Sequence, residues 1–475
     1  MKQLTGQDAS FLYLESRGAH LHLTALYVYE QPRAPAAPLV FADIVRHLES
    51  RLDSSEIFRQ KLVRPPLDLD YPYWVDDAEF NLKRHMHRYT AAAPRTRRAL
   101  FRLVAKLHAK PLDLSRPPWE MHVLEKLGPI EGFPKSCFAI IARYHHAAID
   151  GASGSQLVDG LHDLQPAEIA PAEAGEESWR PNPEPGTTDV LTRGVLNNLG
   201  APFRILKTIA GAAPGMILSR LKPAGDKPAK STPAPKTCFN QPVSRERVFH
   251  STSVDLQKVR DIRNLVPGAT VNDVILTICG GALRTWLDAY GELPAESLVA
   301  MVPVNARTSE QSELGGNRLG TLFVPIHTDI YDPAERLQAV YEATQKAKSA
   351  SGGLDAQQIS EITSHVPAIT LSSVGHLVTR LGIGHRVKPI ANCTITNVPG
   401  PRGTLWLGPA KLVWSTGTAP IIDGMGLIIS AFSYRDQITF SFCSCPEMVP
   451  DPEFMGDCTQ VAYESLLEAA PKVGA

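Results

Sequence analysis

The stretch "RYHHAAIDG", Arg143 to Gly151, follows directly on the apolar run "SCFAIIA" (Ser136 to Ala142), and its reading decides how the chain folds. Residues 136–144 are apolar on both faces, as a buried central strand requires. The strand delivers two adjacent histidines, and successive strand side chains point to opposite faces. One of His145 and His146 is therefore presented to a cleft, and the other is held structurally. Gly151 permits a sharp turn, and Ser153 is placed to cap a helix carrying Leu157, Val158 and Leu161. Asp150 can fold back to fix the imidazole region or to pair with an arginine. An imidazole, with an ordinary pKa of about 6.5, suits proton removal from an alcohol, an amine or water. On these residues alone, a structural histidine pair in an incidental polar turn is the commoner reading. Two other chemistries lack their motifs: H-E-x-x-H for zinc is absent, and "GASGS" (Gly151 to Ser155) is not G-x-S-x-G.

The 475 residues, 43 % hydrophobic and 20 % charged, point to a globular chain of two domains. A net charge of -1 offers no overall attraction to nucleic acid, so none is expected as a partner. Seven cysteines without a C-x-x-C pair, behind a polar N-terminus, favour a reducing cytoplasmic setting. Cys443 and Cys445 read as packing groups of a strand, and no metal ligands are expected. No apolar run reaches the roughly 20 residues of a membrane span.

Apolar spacing divides the chain into residues 1–165, a linker at 166–242, and residues 243–475. The first part reads as a short helix near Phe11 capped by Asp8, a strand from Leu21, helices at Leu39 to Leu52 and Arg97 to His108, and strands at Glu120 to Leu127 and Ser136 to Tyr144. The linker is rich in proline. Within it, residues 190–221 are amphipathic, and their charges, Arg193, Arg204, Lys207 and Arg220, are all basic. Such a face either packs on a domain or docks on an anionic lipid surface. The third part reads as a long helix starting at Asn272 and Asp273, strands at 298–303, 322–328, 393–398, 427–434 and 437–443, and a terminal helix from Pro452 to Ala469. Strands and helices mix in both halves without regular alternation, an α+β pattern.

The spacing HHxxxDG resembles the signature of the CoA-dependent acyltransferase superfamily. Within it, the chain resembles the bacterial wax ester synthase/diacylglycerol acyltransferases. "LTGQDASFLYLES", "PLDLSRPPWEMHVLEKL" (Pro111 to Leu127), "VNDVIL" (Val271 to Leu276), "GGNRLG" (Gly315 to Gly320) and "TNVPGP" (Thr396 to Pro401) look like that family's blocks, in order. Three blocks depart from the pattern: Pro117-Pro118-Trp119, the segment His20 to Thr24, and Asn305-Ala306-Arg307. These departures bear on acceptor preference.

The resemblance implies two chloramphenicol acetyltransferase-like domains with a site where they meet. It assigns His146 as general base, His145 as structural, Asp150 as holding the motif's geometry with Arg307 as its partner, and Gly151 as the turn. It makes long-chain acyl-CoA a substrate, with no cofactor and no metal, and a diacylglycerol or long-chain alcohol the acceptor. Asn272, with Asp273, is the candidate oxyanion support at a helix start, and an ordinary helix cap is an equally open reading of either residue. Asn397, Pro399, Gly400, Gly316 and Asn317 are expected at the channel or domain junction. Peripheral attachment to the inner membrane face or lipid inclusions is expected through the linker. Carrier-protein donors, as in condensation domains, or lipid binding with little catalysis are the alternatives.

Overall fold

The structure is a computed structural model, and it describes residues 1–16, 18–149, 160–169, 179–197, 233–305, 319–351, 368, 372–373 and 388–470. The first part contains β1 (Lys2–Gln3), α1 (Gly6–Tyr13), β2 (His22–Glu30), α2 (Phe41–Glu49), β3 (Gln60–Val63), β4 (Tyr73–Asp76), β5 (Met86–Arg88), α3 (Arg97–His108), β6 (Trp119–Leu124) and β7 (Cys137–His145). The second contains β8 (Val248–Asp255), α4 (Leu256–Ile262), α5 (Val271–Ala289), β9 (Val299–Asn305), β10 (Leu319–Pro325), α6 (Pro333–Ser351), β11 (Cys393–Val398), β12 (Trp406–Leu407), β13 (Ala410–Thr418), β14 (Leu427–Tyr434), β15 (Gln437–Ser444) and α7 (Pro452–Ala469).

Two six-stranded sheets carry the molecule, ordered β12-β13-β2-β7-β6-β5 and β10-β9-β11-β14-β15-β8, and β1-β4-β3 form a small third sheet. The mixed α+β architecture read from the sequence is the one observed. All nine residues of β7 are buried, as its two apolar faces require of an interior strand. Its even positions, Phe138, Ile140, Ala142 and Tyr144, pack with Leu48 of α2. Ala139 and Ile141 join the core that continues through α3 into the second sheet.

Strand β13 belongs by sequence to the second half yet pairs antiparallel with β2, from Lys411 opposite Glu30 to Thr418 opposite Thr24. It thereby covers an edge of the strand that lines β7 on its other side. β13 also faces the second sheet. Trp414 Nε1 donates to Ser253 Oγ at 3.2 Å, and Ser251 Oγ lies 3.2 Å from Thr416 Oγ1. The two sheets are thus joined by a strand that touches both.

Some local expectations shift. Thr5, not Asp8, caps α1: its Oγ1 accepts the Asp8 N–H at 3.1 Å and donates to Asp8 Oδ2 at 2.6 Å. Asp8 sits inside the first turn, where its charge favours the helix start. Part of the linker packs against the small sheet. Residues 187–197 are helical, and Val190 is buried with Tyr73 and Val75. Asn182 Nδ2 donates to Asp76 Oδ2 at 2.7 Å, and Lys61 pairs with Glu184 at 3.2 Å. Arg204, Lys207 and Arg220 lie outside the described residues. Among the described residues, no helix is long and apolar enough to cross a membrane.

Candidate active site

Where β7 ends, the chain turns through a single 3₁₀ turn, His146–Ala148. His145 is the last ladder residue, opposite His22 of β2, and it is fully buried. Its Nδ1 accepts the Ala147 N–H at 3.1 Å, so a neutral ring carries its proton on Nε2. Nε2 faces Glu15 Oε1 at 3.4 Å. The same Glu15 oxygen accepts the Leu21 N–H at 2.8 Å, while the Leu21 carbonyl accepts the His146 N–H at 2.9 Å. Burial alone would raise the Glu15 carboxyl, but the His145 ring and the Leu21 N–H outweigh it and hold the group below its ordinary value. His145 and Glu15 therefore brace the turn that carries His146.

The His146 ring stacks on Phe11, with centroids 3.9 Å apart and planes at 19°. Its Nδ1 is buried with no hydrogen-bond partner among the described residues. Burial pushes the imidazole down to about 4, with the neighbouring His145 adding to the effect. At neutral pH the ring is uncharged and holds a free lone pair. Ala147 beside it packs with Leu12, Tyr13, Tyr71 and Ala368, the last from the second half of the chain. The loop carrying Glu15 is also tied across, since the Arg247 guanidinium donates to the Gly18 carbonyl. His146 thus stands where residues of both halves meet.

A polar network under the strand was not foreseen. Arg143, 1 % exposed, donates to the Glu120 carboxylate and to the Lys110 carbonyl. A buried guanidinium persists only when paired in this way. Beside it, His22 Nε2 lies 2.9 Å from the His108 carbonyl, and Thr24 Oγ1 lies 2.8 Å from His108 Nδ1. Burial pushes both imidazoles well down, so both are neutral. The available signal was Arg143 itself, a charge inside a run otherwise buried on both faces. For Phe11 it was its place in "DASFLYLES".

Asp273 is the third residue of α5 and completes a capping box with Thr270, whose N–H and hydroxyl donate to its Oδ2 at 2.8 and 2.7 Å. Its Oδ1 accepts from Thr344 of α6 at 2.7 Å, so its carboxylate is engaged in joining two helices. Asn272 is partly exposed on the same turn. No hydrogen bond among the described residues links either to His145 or His146. Asn397 lies on β11 opposite Ala431. Past its end, the Gly400 N–H donates to Ser433 Oγ at 3.1 Å, and a Cβ at Gly400 would fall 2.0 Å from the Ser433 carbonyl oxygen. Pro399 precedes that contact. Asp150, Gly151, Arg307, Gly316 and Asn317 lie outside the described residues.

Comparison with known proteins bears on this arrangement. Residues 4–275 match the wax ester synthase/diacylglycerol acyltransferase catalytic domain, and residues 315–467 match the C-terminal domain of the same family. A Mycobacterium tuberculosis protein that carries the name of a diacylglycerol O-acyltransferase is 33% identical over 93% of this chain and 94% of its own length. The wax ester synthase/diacylglycerol acyltransferase from Marinobacter aquaeolei VT8 superposes with a TM-score of 0.69 at 27% identity, covering 99% of this chain and 100% of its own. A trichothecene 15-O-acetyltransferase from Fusarium sporotrichioides shares the fold at 11% identity, with a TM-score of 0.59 and coverage of 97% of this chain and 94% of its own. The double-histidine turn, the strand shared between two sheets and the two matched segments agree, and the chain belongs to the wax ester synthase/diacylglycerol acyltransferase family.

Proposed function

We propose that this chain transfers a long-chain fatty acyl group from acyl-CoA to the hydroxyl of a diacylglycerol or a long-chain alcohol, with His146 as the general base. O-acyl transfer is the activity of the family to which the chain belongs. The observation that carries the residue assignment is the neutral His146 ring, held against Phe11 at the end of a buried strand. In the proposed step His146 removes the hydroxyl proton, and the oxygen attacks the thioester carbonyl. The C–S bond then breaks, and the departing thiolate takes the proton back from the imidazolium. No acyl-enzyme, cofactor or metal takes part. Asn272, at the start of α5, supplies the oxyanion donor, supported by Asp273. Asp150 and Gly151 hold the turn, and Asn397, Pro399, Gly400, Gly316 and Asn317 shape the channel wall.

The test is thiol release from palmitoyl-CoA with dioleoylglycerol, with hexadecanol and with neither. Acceptor-dependent release is expected, and His146→Ala is expected to lower kcat by about 10²–10⁴-fold. Because burial holds the imidazole at about 4, kcat/KM should stay level from pH 8 to below 6. A folded His146→Ala protein with full turnover, or an acid limb centred near 6.5 that the mutant lacks, would refute the assignment as drawn. Peripheral attachment to an anionic membrane face or lipid inclusion is proposed through the basic, amphipathic linker. Replacing Arg193, Arg204, Lys207 and Arg220 by Gln should weaken partition onto anionic vesicles at low salt. Unchanged partition would remove the linker as the anchor.

A further inference from the structure

At the outer edge of the first sheet, β5 runs parallel to β6 and places His87 beside His122. Glu120, two residues before His122, projects from the same face of β6. The three side chains converge. Glu120 Oε1 lies 2.9 Å from His122 Nε2, and Glu120 Oε2 lies 3.7 Å from His87 Nε2. The two imidazole rings stand 4.9 Å apart, and one donor atom from each of the three groups falls within 4.8 Å of the others. Their side chains are 41%, 15% and 22% exposed for His87, His122 and Glu120, so the cluster is open to solvent on one side.

An ion-paired sheet edge needs one cation for one carboxylate. Glu120 already has that partner, because the buried Arg143 guanidinium donates to its Oε1. Two further imidazoles with their Nε2 atoms turned to the same carboxylate exceed that need. A tetrahedral zinc with bonds of about 2.0–2.1 Å holds its ligands roughly 3.4 Å apart, between the 2.9 and 3.7 Å of the two carboxylate–imidazole pairs. All three donors lie within 4.8 Å, so small side-chain rotations close the set around an ion. Two imidazoles and one carboxylate, with a fourth position facing water, form a ligand set suited to borderline divalent metals rather than magnesium or calcium.

We propose that His87, Glu120 and His122 form a binding site for a single zinc-class divalent cation, bound through His87 Nε2, His122 Nε2 and a Glu120 carboxylate oxygen. Both imidazoles carry their proton on Nδ1 when they coordinate. The ion clamps β5, a three-residue edge strand, to β6. It competes with Arg143 for Glu120, which limits its affinity. Arg84 and Arg116 line the adjoining hollow, with Arg116 paired to Asp113 at 2.7 Å. Recognition therefore rests on coordinate bonds to nitrogen and not on net negative charge.

The test uses the whole chain, stripped of metal by a chelator. Zn²⁺ is titrated against a chromophoric chelator, and Co²⁺ is followed by its visible absorption. We expect one Zn²⁺ per chain, unaffected by millimolar Mg²⁺, and a Co²⁺ spectrum of imidazole and oxygen ligation. His87→Ala, at the most exposed of the three positions, and His122→Asn should each weaken binding by at least about tenfold. Circular dichroism checks that both variants are folded. Failure of the wild-type chain to bind Zn²⁺ below about 100 μM, a value corresponding to roughly 5.5 kcal/mol, would overturn the site. Binding unchanged in both variants would do the same, by placing the ion on other histidines.

Discussion

Glu15 shows how one side chain sets the turn that carries His146. Its Oε1 receives the Leu21 N–H and faces His145, while Leu21 returns its carbonyl to the His146 N–H. Removing the carboxylate leaves the Leu21 N–H without its partner in a closed site, a loss of about 1–3 kcal/mol. Glu15→Ala should therefore lower Tm and reduce kcat more than it raises KM. Glu15→Gln keeps an acceptor and should recover most of the stability. A Glu15→Ala protein with wild-type Tm and kcat would show that the turn holds itself. The double histidine was legible because it ends a doubly apolar run. The brace was not, because Glu15 lies 130 residues earlier and no local pattern marks a carboxylate that turns back to a strand end. Asp273 shows the converse. Its position at a helix start was plain in the sequence, but its bond to Thr344 depends on where α6 packs.

The same division holds among the elements. α5 and α7 were legible because capping residues precede long apolar spacings, and β11 and β14 because β-branched and apolar runs end in turns. Neither β13 itself, absent from the strands expected at 393–398, 427–434 and 437–443, nor its partner was legible, since pairing across nearly 400 residues is settled by which sheet edge needs covering. Close packing fixes that pairing. A Cβ at Gly417 of β13 would fall 2.7 Å from the Thr24 carbonyl oxygen and 3.2 Å from Phe432. Gly417→Val should force β13 away from β2 and cost about 1–3 kcal/mol. It should also speed hydrogen exchange in β12 and β13 before the β8–β15 pair. Exchange that rises equally in all strands would mean that β13 is not an independent closing element. The small sheet gives a gentler case: residues 187–197 pack on it through Val190, a contact that the proline-rich composition around them did not announce.

Across the whole molecule, stability should depend on pH more steeply than a net charge of -1 suggests. Burial depresses the imidazoles of His22, His47, His85, His108, His146 and His250, so the folded chain holds them neutral below their ordinary pKa of about 6.5. Once unfolded, each takes up a proton as pH falls through about 6.5, whereas in the folded chain His146 and His250 resist until about 4. The unfolded state therefore binds more protons in this window, and unfolding free energy rises with pH there. The stabilisation is fully present above about 6.5 and is lost as pH falls toward the folded values. Each histidine inside its window contributes a slope of roughly 1.4 kcal/mol per pH unit. These groups come from β2, α2, the turn before β5, α3, the strand-end turn and β8, so the loss is spread over both sheets. Urea midpoints at pH 7.5, 6.5 and 5.5 should fall progressively, with proton uptake of more than one per chain on unfolding at pH 5.5. Equal midpoints at 7.5 and 5.5 would mean that the buried imidazoles are already charged in the folded chain. A charged ring at His146 could not accept the proton of an acceptor hydroxyl, so the same titration bears on whether the chain can carry out acyl transfer at neutral pH.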